Sequence, residues 1–283
     1  GLGYGMSEVS VNATVPDAYA EKRGWALNLV HAVSGGGSVV APALVALTAG
    51  ASVGWRPLYL GIAAFGVVPF LLLMRPAFPH ANPPVTAQLG ASVAGLLRQR
   101  RLQMVALLLG LYMGALGVTA GWGFTYLVRY RALPDADAGL ALSLFWLGLM
   151  AGRICCMWFV ERLSYALLIL LAASGAFGAL LLTSLVGQAG LLLAGFALTG
   201  LCFAPLFATI IALGQRHFLG SSGLVTTLII TLGGLGSPVF AWLAGGFSEW
   251  ADLRASMLLG CALVLAVALL AGAIHLVHRR LAA

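Results

Sequence analysis

Residues 102–127 read LQMVALLLGLYMGALGVTAGWGFTYL, 26 positions without a charge and without alternation of apolar and polar side chains. At 1.5 Å of rise per residue, a helix of this length reaches about 39 Å. The hydrocarbon core of a bilayer is about 30 Å thick. A transmembrane β-strand would be shorter and would alternate. In lipid every backbone N–H and C=O needs a partner within the protein, and a helix supplies one from its own segment. The run therefore predicts a membrane-spanning α-helix. Working outward, similar runs occupy about 1–15, 25–49, 55–75, 138–159, 164–186, 189–213, 221–247 and 253–278. The expected fold class is an all-α membrane protein, a polytopic helical bundle of about nine transmembrane helices.

Composition leads to the same solvent. Hydrophobic residues make up 61% of the chain and charged residues 8%, where a soluble domain carries about a quarter charged. The 37 glycines suit close helix packing in lipid. Trp55, Tyr59, Tyr126, Tyr130 and Trp250 fall near the ends of apolar runs, where interfacial anchors belong. The net charge of +7 is spread between the spans, which argues against a nucleic-acid partner. Cys155, Cys156, Cys202 and Cys261 lie in or beside apolar runs, at spacings that fit neither a metal site nor a disulfide framework. With neither a nucleophile–base pair nor a metal cluster in the pattern, an enzyme is not expected. The expected partners are the lipid bilayer and a small-molecule solute, with the protein acting as a monomer.

Segment 76–101 interrupts the apolar pattern with Pro76, Pro79, Pro83 and Pro84, then Arg98, Arg100 and Arg101. Its second half, Val85 to Leu97, reads as a short amphipathic helix on the membrane surface. The expected organisation is residues 1–75 as three spans, 76–101 as a cytoplasmic linker and 102–283 as six spans. With the linker inside, the cytoplasmic side holds Lys22, Arg23, Arg75, Arg98, Arg100, Arg101, Arg153, Arg162, Arg216, Arg279 and Arg280. The other side holds Arg56, Arg129, Arg131 and Arg254. This asymmetry predicts a multi-pass protein of the cell membrane with its C-terminus in the cytoplasm. A weak internal repeat pairs Gly36 to Pro42 and Trp55 with Gly234 to Pro238 and Trp250, which would relate the first three spans to the last three.

Glu8 stands alone as an acid in the first run. A carboxylate in hydrocarbon costs about 2.5–3.5 kcal/mol on insertion scales, so it is expected to face a cavity or a partner. A carboxyl removed from water holds its proton more readily, which suits a proton carrier. Asn12 lies four residues on, on the same helix face. Asn28, His31 and Ser34 form a polar stripe at threefold spacing on the second run. His31 could share a proton with Glu8 or donate to a solute hydroxyl. Trp122 offers a flat ring on which a sugar could stack, or an interfacial anchor. Gly148 and Gly152 allow close helix approach, and Arg153 is expected to pair with Glu161 or with helix carbonyls in a gating or structural role.

Four motif groups carry a resemblance. The first is Gly3-x-Gly5-x-x-Glu8-x-x-x-Asn12-x-x-Val15 with Leu27-Asn28-Leu29-x-His31-Ala32-x-x-Gly35-x-Gly37 and Pro42. The others are Leu111-Tyr112-x-Gly114-Ala115 with Gly121-Trp122, Phe145-Trp146-x-Gly148-x-x-x-Gly152-Arg153, and Gly200-x-x-x-x-Pro205-x-Phe207-x-Thr209. In this order and spacing the chain resembles the major facilitator superfamily, in the branch of the fucose–proton symporter and related sugar permeases, from the fourth family helix to the twelfth. On that reading three helices would precede Gly1. The resemblance implies alternating access, with Glu8 in proton coupling, His31 at the sugar site and Ser34 at a polar position; together with Asn12, Asn28 and Trp122 from the residue reading above, His31 and Ser34 are the expected substrate contacts. Protons are the coupling ion and no other cofactor is implied. Many relatives carry an acid in the seventh helix where this chain has Leu116. The function implied is secondary active transport of a small polar solute, sugars included. The alternatives are an efflux carrier for amphipathic compounds and a non-transporting receptor or structural protein on the same fold.

Overall fold

The computed structural model describes residues 2–50, 56–74, 89–216, 218 and 222–282. Trp55 and residues 75–88 of the expected linker lie outside the described residues. The elements are α1 (Leu2–Ala18), α2 (Arg23–Gly50), α3 (Arg56–Leu73), α4 (Leu89–Leu97), α5 (Arg100–Thr125), α6 (Asp135–Cys156), α7 (Tyr165–Leu185), α8 (Ala189–Arg216), α9 (Ser222–Gly234), α10 (Gly236–Trp250) and α11 (Leu253–Ala282). The described residues contain no β-strand. Among the described residues, six stretches are long and apolar enough to cross a membrane: Arg100–Tyr130, Asp135–Cys156, Tyr165–Leu185, Ala189–Arg216, Gly223–Trp250 and Leu253–Val277. A shorter apolar stretch, Tyr59–Leu72, belongs to α3.

Helix α8 is the hub. It is buried continuously from Phe203 to Gln215 and packs on α2, α5, α6, α7 and α9. Its closest neighbour is α6. A Cβ on Gly200 would overlap the carbonyl of Phe145, and one on Gly148 would overlap the carbonyl of Ala197. Gly152 faces the carbonyl of Leu201, the one group in α8 that Pro205, lacking an N–H, cannot pair. Glycine on both helices thus brings the backbones into van der Waals contact.

One expected span, 221–247, differs in detail. It is broken at Leu235 into α9 and α10. Pro238 has no N–H for the carbonyl of Gly234, and Gly233, Gly234 and Gly236 leave the local backbone free to turn. The break packs tightly on α5, where Gly110 meets Gly236 and Gly117 meets Ser237. Its expected repeat partner, α2, runs unbroken through the matching residues. At the other end of α5, a π-helical turn over Tyr126–Tyr130 leads to Ala132, whose φ of 54° is left-handed. Arg131 secures this corner, donating from Nε to the Tyr126 hydroxyl at 2.7 Å and from Nη2 to the carbonyl of Thr183 on α7 at 3.1 Å.

The first three helices meet the rest of the bundle along two lines. Helix α2 lies against α6 and α8, and α1 lies against α9. Helix α3 touches α2 and presents Tyr59, Phe65 and Phe70 outward, as a helix bathed in lipid would.

Candidate functional site

Between these two groups of helices lies a cavity of about 570 Å³. Glu8 and Gly5 of α1 line one side, with His31, Ser34 and Gly35 of α2. Tyr112, Met113 and Leu116 of α5, Trp146 and Arg153 of α6, Phe207 of α8 and Thr231 of α9 line the other. The polar groups therefore converge from both halves of the bundle.

The hydrogen bonds around Glu8 fix each other's polarity. Asn12 Nδ2 donates to the carbonyl of Glu8 at 2.8 Å and to Glu8 Oε1 at 3.1 Å. Both partners can only accept while the carboxyl is ionised, so the amide nitrogen must face Glu8. The amide oxygen then faces His31, whose Nε2 lies 3.0 Å away and must donate. The i, i+4 spacing of Glu8 and Asn12 gives this contact without distortion of α1. Asn12 is 1% exposed and His31 6%, whereas Glu8 is half-buried at the cavity wall. The imidazole also packs edge-on against Phe207, with ring centroids 4.8 Å apart.

The sequence-derived candidates separate into three groups. Glu8, Asn12, His31 and Ser34 come together, with Asn12 behind the wall rather than on it. Asn28 is fully buried and turned back on its own helix, Nδ2 donating to the carbonyl of Gly24 at 2.8 Å. Trp122 lies away from the cavity lining. Its indole N–H donates to the carbonyl of Ala241 on α10 at 2.9 Å, and its ring covers Gly245. Trp122→Phe should therefore lower the melting temperature of the purified protein, at a cost of about 1 kcal/mol for the lost bond. The apparent affinity for solute should stay within about twofold. A large loss of affinity at unchanged stability would instead put the ring on the solute.

Of the two kinds of partner expected for Arg153, Glu161 and helix carbonyls, the structure shows a helix carbonyl. Arg153 reaches across to α2 and donates from Nη1 to the carbonyl of His31 at 2.7 Å. Glu161 meets the start of α2, with Oε1 accepting from the backbone N–H of Gly24 at 2.8 Å and of Trp25 at 3.2 Å. Its Oε2 accepts from the Tyr165 hydroxyl at 3.0 Å. The first N–H groups of a helix have no partner within it and carry partial positive charge, so a carboxylate is a fitting cap. Gly24 permits the approach, because a Cβ there would press on Val160 at 2.7 Å. Gly148 and Gly152 belong to the α6–α8 seam and set the position of α6.

The cavity is also lined by Tyr112 and Trp146, which the sequence presents only as members of motif groups. The Tyr112 hydroxyl lies beside the Arg153 guanidinium, without a hydrogen bond of good geometry. Leu116 does face the cavity, so the acid that many relatives place there is replaced by an apolar surface in contact with the same space. Helical spacing from Tyr112 to Leu116 was the available signal for putting both on one face.

Comparison with known proteins supplies the family. The family model described as Major Facilitator Superfamily matches residues 1–241. The membrane protein MosC of Rhizobium meliloti is 30% identical over 192 residues, 66% of this chain and 46% of MosC. Major facilitator superfamily domain-containing protein 4B of Danio rerio is 28% identical over 154 residues, 52% of this chain and 28% of that protein. The matches span less than half the length of these two relatives. Among solved structures, the Major Facilitator Superfamily transporter FucP in its outward conformation superposes with a TM-score of 0.75 at 17% identity, covering 94% of this chain and 70% of FucP. A variant of the Escherichia coli fucose:proton symporter FucP gives 0.74 at 18% identity, covering 94% and 71%. At that identity the likeness concerns the fold. The chain belongs to the Major Facilitator Superfamily.

Proposed function

We propose that the full-length protein is a proton-coupled carrier of a small polar solute, of the sugar class, working by alternating access. One observation carries this reading. Glu8, the one acid in the run 1–15, borders a cavity between two groups of helices and is joined through Asn12 to His31. A carboxyl in such a place can load a proton from one side and release it to the other when the halves rock. Hydroxyl, imidazole and guanidinium groups beside the broad faces of Trp146 and Phe207 suit a polyhydroxylated solute. A superfamily member with a very similar fold is described as a fucose:proton symporter.

The bonds from Arg153 to His31 and from Glu161 to Gly24 and Trp25 join the two groups at one end of the cavity. The charge asymmetry of the loops supports assigning that end, and the C-terminus, to the cytoplasm. These contacts hold the cytoplasmic side shut and must part before solute leaves there. Adding the right sugar to a lightly buffered suspension of cells making the full-length protein should alkalinise the medium. Entry of that sugar without any pH change would remove proton coupling from the reading.

A further inference from the structure

Gln215, the next-to-last residue of α8, is fully buried. Its Nε2 donates to the backbone carbonyl of Asn12 on α1 at 2.8 Å and to Thr226 Oγ1 on α9 at 2.8 Å. Its Oε1 is buried with no hydrogen-bond partner among the described residues. The backbone it grips is that of Asn12, whose side chain bonds both Glu8 and His31. One amide thus connects the acid's helix to α8 and α9, across the line where the two groups of helices meet.

We propose that Gln215 is a positioning residue for the Glu8 site: it latches α1 to α8 and α9 while the cytoplasmic end is shut, and so transmits the protonation of Glu8 to opening. This rests on the transport reading above. When α1 leaves α8 and α9, the bond to Asn12 must break. The orphaned Oε1 works in the opposite sense, since opening would admit water to it. A bond favouring closure beside an unmet acceptor favouring opening keeps two states close in free energy, as a carrier requires. Protonating Glu8 replaces a charge-assisted bond from Asn12 by a weaker neutral one and so frees the Asn12 side chain, which bridges to His31 on α2 from the residue whose backbone Gln215 holds. The charged or titratable groups around the same cavity are His31 from α2, Tyr112 from α5 and Arg153 from α6. Those lining it from α8 and α9 (Phe207, Ile230, Thr231 and Gly234) do not titrate. Gln215 does not titrate either, so any effect on a pH profile has to pass through Asn12.

The test uses the full-length protein with its native cysteines replaced and Ser34→Cys as a cavity reporter, labelled by a membrane-impermeant maleimide in vesicles of each orientation. Gln215→Leu should raise labelling from the cytoplasmic face and lower it from the outer face, each by about 2- to 10-fold. With Ser34 intact, the same variant should shift the pH midpoint of solute uptake. Thr226→Val keeps the α1–α8 bond and should leave labelling within about twofold. Gln215→Met, closer in shape, replaces the leucine variant if that one does not accumulate in the membrane. Labelling that rises equally on both faces, or that stays unchanged together with the midpoint, would overturn the latch. So would a full effect from Thr226→Val. If Gln215→Leu redistributes labelling while Glu8→Gln leaves the pH dependence intact, the latch stands and the proton role of Glu8 falls.

Discussion

Glu8→Gln is expected to abolish solute-driven proton movement and uphill accumulation, while exchange of labelled for unlabelled solute continues. The substitution is mild in geometry. A glutamine can keep an oxygen where Glu8 Oε1 accepts from Asn12 at 3.1 Å, so the amide and the His31 contact behind it retain their places. What disappears is the exchangeable proton. One proton moving down 100 mV releases about 2.3 kcal/mol, equivalent to about 50-fold accumulation, and all of that gain should vanish. The pH dependence follows in sign. Uptake with a proton consumes external protons, so the native rate should fall as external pH rises, and the glutamine variant should show no such fall. Counterflow in proteoliposomes at several external pH values separates the outcomes. Persistent accumulation with an unchanged pH profile would move the proton site away from Glu8, to His31 in the first instance.

The sequence was read well where lipid leaves few choices. Uncharged runs longer than the bilayer have to be helices, and each long run from 102 to 278 contains helix. Glu8 was legible for the same reason, because an acid in such a run needs a cavity or a partner. Pro238 and its neighbouring glycines mark the place of the break at Leu235, but proline is tolerated in membrane helices and composition alone does not distinguish a kink from an interruption. Asn28 shows the limit of facial periodicity. It shares a stripe with His31, yet a small rotation of α2 is enough to bury it against Gly24 while His31 reaches the cavity. The roles of Arg153 and Glu161 depend on which helices meet, which no local pattern encodes. A helix carbonyl was one of the partners expected for Arg153, but that this carbonyl and the contact of Glu161 both belong to α2 was not legible. Gln215 drew no attention as one amide beside Arg216 at the end of an apolar run, because its partners lie on α1 and α9.

The α6–α8 seam gives the prediction with the largest effect on stability. Gly200→Leu should prevent the protein from accumulating as a monodisperse species, or lower its melting temperature by many degrees. The new Cβ would overlap the carbonyl of Phe145 and crowd the backbone N–H of Leu149. Neither obstacle is a side chain that can rotate away, so relief requires α6 and α8 to separate. Overpacking in a core commonly costs about 1–3 kcal/mol, and a clash with rigid backbone falls at or beyond the top of that range. Separation would also displace Trp146 and Arg153, since α6 carries both into the cavity. Gly178→Leu on α7 is the matched control, because nothing lies within 4 Å of the added Cβ. The control should retain native stability or gain slightly from leucine's better helix propensity. Thermal unfolding in detergent, followed by size-exclusion, compares the two directly. Equal stability in both variants would mean that α6 and α8 are not in backbone contact, and the wall carrying Trp146 and Arg153 would have to be placed elsewhere.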